Sequence, residues 1–104
     1  MEKRINIGYE IIECIELGGV EYVLGVNETA PNPYVTWRSS PDRQNYYYWG
    51  HYMNSLLDAR KDLYERVIDE ARNLIQKVEK RMEYEAEKKI PERTVKGQNR
   101  DMER

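Results

Sequence analysis

Between Ser55 and Lys89 the chain contains neither glycine nor proline, and no other feature constrains its fold as much. Tyr64, Ile68, Ala71, Ile75, Val78 and Met82 recur at steps of four and three, and Leu56, Leu63, Val67 and Leu74 widen the stripe. That spacing predicts an amphipathic helix, with Leu63, Val67, Ile68 and Leu74 buried against the rest of the fold. Asn54 or Ser55 is the expected N-cap, and Ser55-Leu56-Leu57-Asp58 has capping-box spacing with Asp in place of Glu or Gln. The turns from Arg81 to Lys89 are almost wholly charged and are expected to face water; Ile90-Pro91 ends the helix. A helix of about 34 residues spans roughly 50 Å, whereas a six-residue strand spans roughly 20 Å. The far end of such a helix must be solvated or packed on something else. A weak homodimer through the helix is one expectation, and a monomer with a frayed helix end is the other.

The remaining chain reads as β-structure. Ile5, Ile7, Tyr9 and Ile11 alternate, as do Ile15 and Leu17 on the same parity, with Glu10 and Glu16 opposite; period two means a strand. Gly8 and the Ile11-Ile12 doublet blur the alternation and mark a place for a bulge or bend. Gly18-Gly19 suits a two-residue hairpin turn into a second strand, Val20 to Val26, with Val20, Tyr22, Leu24 and Val26 on one face. Pro31 and Pro33 make 27–33 a loop. Tyr34-Val35-Thr36-Trp37-Arg38 and Tyr46-Tyr47-Tyr48-Trp49 are two further strands of strong β-formers, joined by a turn around Pro41. Gly50 either ends the last strand or lets the backbone pass close to a neighbour. The expected fold is α+β: a four-stranded antiparallel meander followed by one long C-terminal helix packed on one face. Residues 1–90 form a single domain, and 91–104 are expected to be a disordered polar tail.

Composition limits the function classes. With 39% hydrophobic and 35% charged residues and a net charge of −2, the chain is neither a strongly basic nucleic-acid binder nor a heavily acidic mimic of DNA. Residues 1–54 are mildly acidic, with four Lys/Arg against seven Asp/Glu. Cys14 is the sole cysteine, so no intramolecular disulfide can form, a reducing compartment is the natural expectation, and the side chain is expected to be a small buried hydrophobe. With no apolar leader or span in the sequence, a cytoplasmic location is expected. One His and one Cys supply no metal-ligand spacing and no phosphate loop is present, so no catalytic or metal site can be named and no cofactor or small-molecule substrate is expected. Asp62 with Arg66, Arg66 with Glu70, and Glu85 with Lys89 read as i,i+4 ion pairs on a solvated helix face.

The aromatic content stands apart: nine Tyr and two Trp, with no Phe. Tyr and Trp are favoured where one edge of the ring meets water or a partner. Tyr46, Tyr47, Tyr48, Trp49 and Tyr52 cluster around His51, with Trp37, Arg38 and Arg43 nearby in the sequence. Two readings stay open. Cross-strand aromatic pairs stabilise a small sheet, or these residues form a recognition surface of hot-spot types. Glu10, Glu13, Glu16 and Glu21 around the first hairpin are either a solvated, aggregation-deterring edge or the acidic counterpart of a basic groove on a partner.

Three stretches, Ala30-Pro31-Asn32-Pro33-Tyr34-Val35-Thr36-Trp37, Tyr48-Trp49-Gly50-His51-Tyr52 and Asp62-Leu63-Tyr64-Glu65-Arg66, resemble a family of small uncharacterised proteins and domains carried by conjugative elements and plasmids of Gram-positive bacteria. Some small proteins of that gene neighbourhood are anti-CRISPR inhibitors of type II-A Cas9, and the chain is similar to them in size and style. The resemblance implies a mobile-element inhibitory protein, acting in the cytoplasm of a bacterial host, that binds a Cas9-type nuclease, its guide RNA complex, or both, and interferes with guide loading or a nuclease surface. It implies no particular functional residues. The alternatives are a nucleic-acid-binding accessory factor of element transfer and a non-enzymatic dimeric interaction module.

Overall fold

A computed structural model describes residues 3–40 and 46–88. Arg43, the turn around Pro41, Lys89, the Ile90-Pro91 stop and the expected tail lie outside the described residues. The elements are β1 (Ile5–Asn6), β2 (Tyr9–Leu17), β3 (Val20–Val26), β4 (Tyr34–Ser39), β5 (Tyr47–Met53) and α1 (Leu56–Lys88). The strands form one curled antiparallel sheet in the order β1-β2-β3-β4-β5. The architecture is thus α+β as expected, but with five strands rather than four.

The extra strand arises where the alternation is blurred. Ile7 and Gly8 both take positive φ, 41° and 89°, between the paired residues Asn6 and Tyr9. Two consecutive positive-φ residues make a tight hairpin turn, so the first run is folded back on itself and Ile7 is exposed instead of facing a core. The Ile11-Ile12 doublet is a β-bulge: Ile11 pairs with Gly25 and Glu13 with Leu24, leaving Ile12 unopposed. One extra residue reverses the parity of everything after it. Tyr9 and Ile11 therefore join one face of the sheet and Ile15 the other. Gly18 and Gly19 turn at φ 63° and 86°, and Val20, Tyr22, Leu24 and Val26 share one cluster, as the alternation predicts.

Each sheet face has its own core. Tyr22 and Leu24 pack with Ala59 and Leu63 of α1, flanked by Ile15, Val20, Val26, Tyr34, Met53, Leu56 and Val67. On the opposite face Tyr9, Val23, Val35 and Trp37 are buried among Ile11, Ala30 and Tyr47. Tyr9 and Trp37 meet edge to face, ring centroids 5.7 Å apart, and the Tyr9 hydroxyl donates to the Asn32 carbonyl at 2.8 Å.

Ser55 caps α1, its Oγ accepting from the Asp58 amide at 3.2 Å. Leu63 is fully buried and Val67 half-buried, but Ile68 is 47% exposed, contrary to expectation. The sheet-facing row runs Leu56, Ala59, Leu63, Val67 and Glu70, about 100° around the helix from the Tyr64-Ile68-Ala71 row. Ala59 permits close approach, and the polar residues on this side find partners on the sheet, which apolar periodicity cannot reveal. The chain separates into two compact units, Met1–Asn73 and Leu74–Arg104. Within the described part of the second, Leu74 is half-buried and Ile75, Val78, Met82 and Tyr84 are exposed.

Candidate recognition site

The carboxylates and arginines of α1 reach across to the strands. The Thr36 hydroxyl donates to Asp62, which also receives His51 Nδ1–H at 2.9 Å. Arg66 donates to the Thr36 carbonyl at 3.1 Å and, at 2.7 Å, to the Trp49 carbonyl. Glu70, largely buried, accepts from the Tyr22 hydroxyl at 3.3 Å and lies 3.9 Å from Arg38. The expected i,i+4 pairing of Asp62, Arg66 and Glu70 on a solvated face is therefore replaced by contacts with the sheet. Charged groups turned inward need such partners. Burial, opposed by the nearby Asp62 charge, pulls the Arg66 guanidinium below its ordinary pKa. Burial likewise pushes the Tyr22 phenol up. The Glu85 carboxylate accepts from Arg81 at 3.1 Å.

Above this clasp, Trp49 sits at φ +57° in an irregularity of the β4–β5 ladder between Thr36↔His51 and Arg38↔Tyr48. The extra residue turns the Trp49 ring toward Arg38, whose guanidinium lies 5.2 Å from its centroid. Gly50 is required beside it, because a Cβ there would stand 2.8 Å from Trp37 Nε1. β5 runs on through Gly50 to Met53, so this glycine marks a close approach and not a strand end. Two guanidiniums approach the Tyr22 ring, Arg38 at 5.8 Å and Arg66 at 5.7 Å from its centroid. Arg38 Nε is buried with no hydrogen-bond partner. Tyr22, Arg38, Trp49, His51, Arg66, Asp69, Glu70 and Asn73 line an open cleft of about 270 Å³. A bulky residue at positive φ costs about 1–3 kcal/mol and persists only where its surroundings hold it. Here the holder is Arg66, and the result is an indole 62% exposed.

The aromatic run divides between the two faces. Trp37 is 3% exposed and belongs to the core, so it is not a contact residue. Tyr47 packs on Trp37 at 5.5 Å and accepts from Arg4 at 2.7 Å. Tyr52 meets Tyr9 at 5.9 Å and Trp37 at 6.2 Å while keeping an exposed edge. Tyr48 bridges Tyr46 at 5.2 Å and Trp49 at 5.0 Å, and Tyr46 is exposed.

The glutamates around the first hairpin also have individual duties. Glu21 forms a two-point pair with Arg4, 3.0 Å at each contact, and accepts from Ser39 at 2.7 Å. The Arg4 bond holds its carboxyl below the usual range. Glu13, brought to the α1 side by the bulge, accepts from Tyr64 at 2.7 Å and faces Arg60 at 3.4 Å. Neither is a free acidic surface. Glu10 stands 3.9 Å from Lys3, and Glu16 is exposed. Cys14 is exposed, not buried; it lies opposite Val23, on the face without the helix. Partial burial and the Glu21 carboxylate push its thiol up, away from the reactive thiolate. Among the described residues no group of three or more His, Cys, Asp or Glu is placed to hold a metal, and no helix is long and apolar enough to cross a membrane.

Sequence patterns point to Trp49, His51 and Arg38 but miss Tyr22, Thr36, Asp62, Arg66 and Glu70 as their supports. The only signal for the last three is their spacing of four along α1, which suits a solvated face equally well. No family model, curated protein or solved structure matches the chain.

Proposed function

We propose that the chain is a non-catalytic binding protein that meets its partner through the cleft between β5 and α1, with Trp49 as the anchor. The observation that carries this reading is the exposed indole held at positive φ by Arg66. Exposed Trp and Arg are the residue types that dominate binding energy at protein interfaces, and strain retained at an exposed position is characteristic of functional sites. The partner placed first is a Cas9-type nuclease, free or loaded with guide RNA, in the cytoplasm of a bacterial host. This choice comes from the resemblance of residues 30–37, 48–52 and 62–66 to a mobile-element family. Those segments supply Thr36, Trp49 with His51, and Asp62 with Arg66, the residues of the clasp. The function on this reading is inhibition by occupying a nuclease surface or obstructing guide loading.

Retention of the chain on immobilised Cas9, with and without guide RNA, tests the reading. Wild type is expected to bind and Trp49→Ala to lose at least tenfold in affinity while remaining folded. Equal retention of both proteins would remove Trp49 as the anchor, and no retention in either state would remove this partner. A second reading draws on the Tyr46, Tyr48 and Trp49 rings beside Arg38, a combination that also stacks on single-stranded nucleic acid. Salt-sensitive binding to a short single-stranded DNA or RNA, in the absence of Cas9, would favour it.

A further inference from the structure

α1 carries a second apolar row, on the side about 100° around the helix from Leu63 and Val67. Ile68, Ala71, Ile75, Val78 and Met82 recur at intervals of three and four, and Ile68, Ile75, Val78 and Met82 are 47, 54, 57 and 61% exposed. In heptad terms Ile68, Ile75 and Met82 occupy a positions and Ala71 and Val78 d positions. Tyr64 would be the preceding d residue, but its hydroxyl is committed to Glu13, so the row begins at Ile68. The residues that follow d alternate in sign: Glu65, Arg72, Glu79.

That alternation selects both orientation and register. We propose that this side of α1 pairs with the same side of a second copy as an antiparallel two-helix seam, Ile75 packing against the partner's Val78, Ala71 against the partner's Met82, and Arg72 facing the partner's Glu79. Twofold symmetry forms each contact twice. Sliding the helices by one heptad either way sets Arg72 against the partner's Arg72 or Glu79 against the partner's Glu79, placing like charges together. A parallel pairing faces Leu74 with the partner's Glu79 and Arg81 with the partner's Ala86, and gains no ion pair. Arg72 is free to turn outward, because its present contact with Asp69, 3.5 Å and more than 70% exposed on both sides, is of a kind worth little. The seam has only four apolar layers, so the dimer is weak and forms at high protein concentration. It is independent of the β5 cleft.

Sedimentation velocity on the full chain across a concentration series tests the assignment. Wild type is expected to pass from monomer to dimer. Arg72→Glu alone and Glu79→Arg alone should each stay monomeric, since each places like charges face to face. An equimolar mixture of the two variants should associate at least tenfold more tightly than either alone, because both cross-pairs are then opposite in sign. Wild type still monomeric at about 1 mM would overturn the dimer. Either variant dimerising as wild type does, or a mixture no tighter than its components, would overturn the antiparallel register. Both substitutions fall on exposed positions, and circular dichroism would verify that the helix is intact.

Discussion

The two faces of the sheet are built to the same plan and finished differently. Each buries a small apolar cluster and edges it with an arginine–glutamate pair. On the face without the helix, Arg4 and Glu21 meet at 3.0 Å through two contacts, and Tyr47 and Ser39 complete the set. On the helix-covered face, Arg38 and Glu70 stand 3.9 Å apart and Arg38 Nε has no partner. Nearby, Trp49 is strained and exposed. On the first face Arg4, Glu21, Tyr47 and Ser39 satisfy one another, as the polar groups of a structural face need. The second leaves both aromatic surface and a hydrogen-bond donor uncompensated, and that contrast is why the cleft is the proposed contact surface.

The largest effects should come from the two cores. Trp37→Ala and Leu63→Ala remove packed side chains from opposite faces, and should destabilise by about 3–5 and about 2–5 kcal/mol respectively in chemical denaturation. If one cost less than about 1 kcal/mol, the picture of two cores would fail for that face. Ile68→Ala, on the exposed side of α1, should stay within about 1 kcal/mol. Gly50→Ala comes next. Its new Cβ would fall 2.8 Å from Trp37 Nε1, and overpacking of this kind costs about 1–3 kcal/mol.

Glu21→Gln tests the finished face and should cost about 1–2 kcal/mol near neutral pH through loss of a charge-assisted pair. The bond to Arg4 depresses the Glu21 carboxyl in the folded state. Its contribution is therefore present above the unfolded carboxylate pKa of about 4.3 and is lost as pH falls through the lower folded value. Wild type and Glu21→Gln should converge in stability as the pH drops through that window. A constant gap between them would mean that the charge is not what matters. The smallest effect on stability is expected from Trp49→Asn, since Asn tolerates positive φ. Stability should be unchanged or up by about 1 kcal/mol, while binding to the partner falls. A loss above about 2 kcal/mol would make Trp49 a structural residue and remove the contrast between the faces.

Local chemistry was readable in the residues. The Gly18-Gly19 turn, the alternation of β3, the Ser55 cap and the unbroken run of helix formers each rest on interactions within a few positions, and each is found where its pattern puts it. Trp49, His51 and Arg38 could be picked out because their residue types are unusual for a small sheet. Three-dimensional packing decided the rest. One extra residue at Ile12 exchanged the faces of Tyr9 and Ile15, and parity has no local energy to disclose that. The rotation of α1, which buried Leu63 and left Ile68 exposed, followed from partners distant in sequence: Thr36 for Asp62, Trp49 for Arg66 and Tyr22 for Glu70. A charge on a helix can be satisfied by water, by a neighbour four residues away or by a strand, and only the packed fold selects among them.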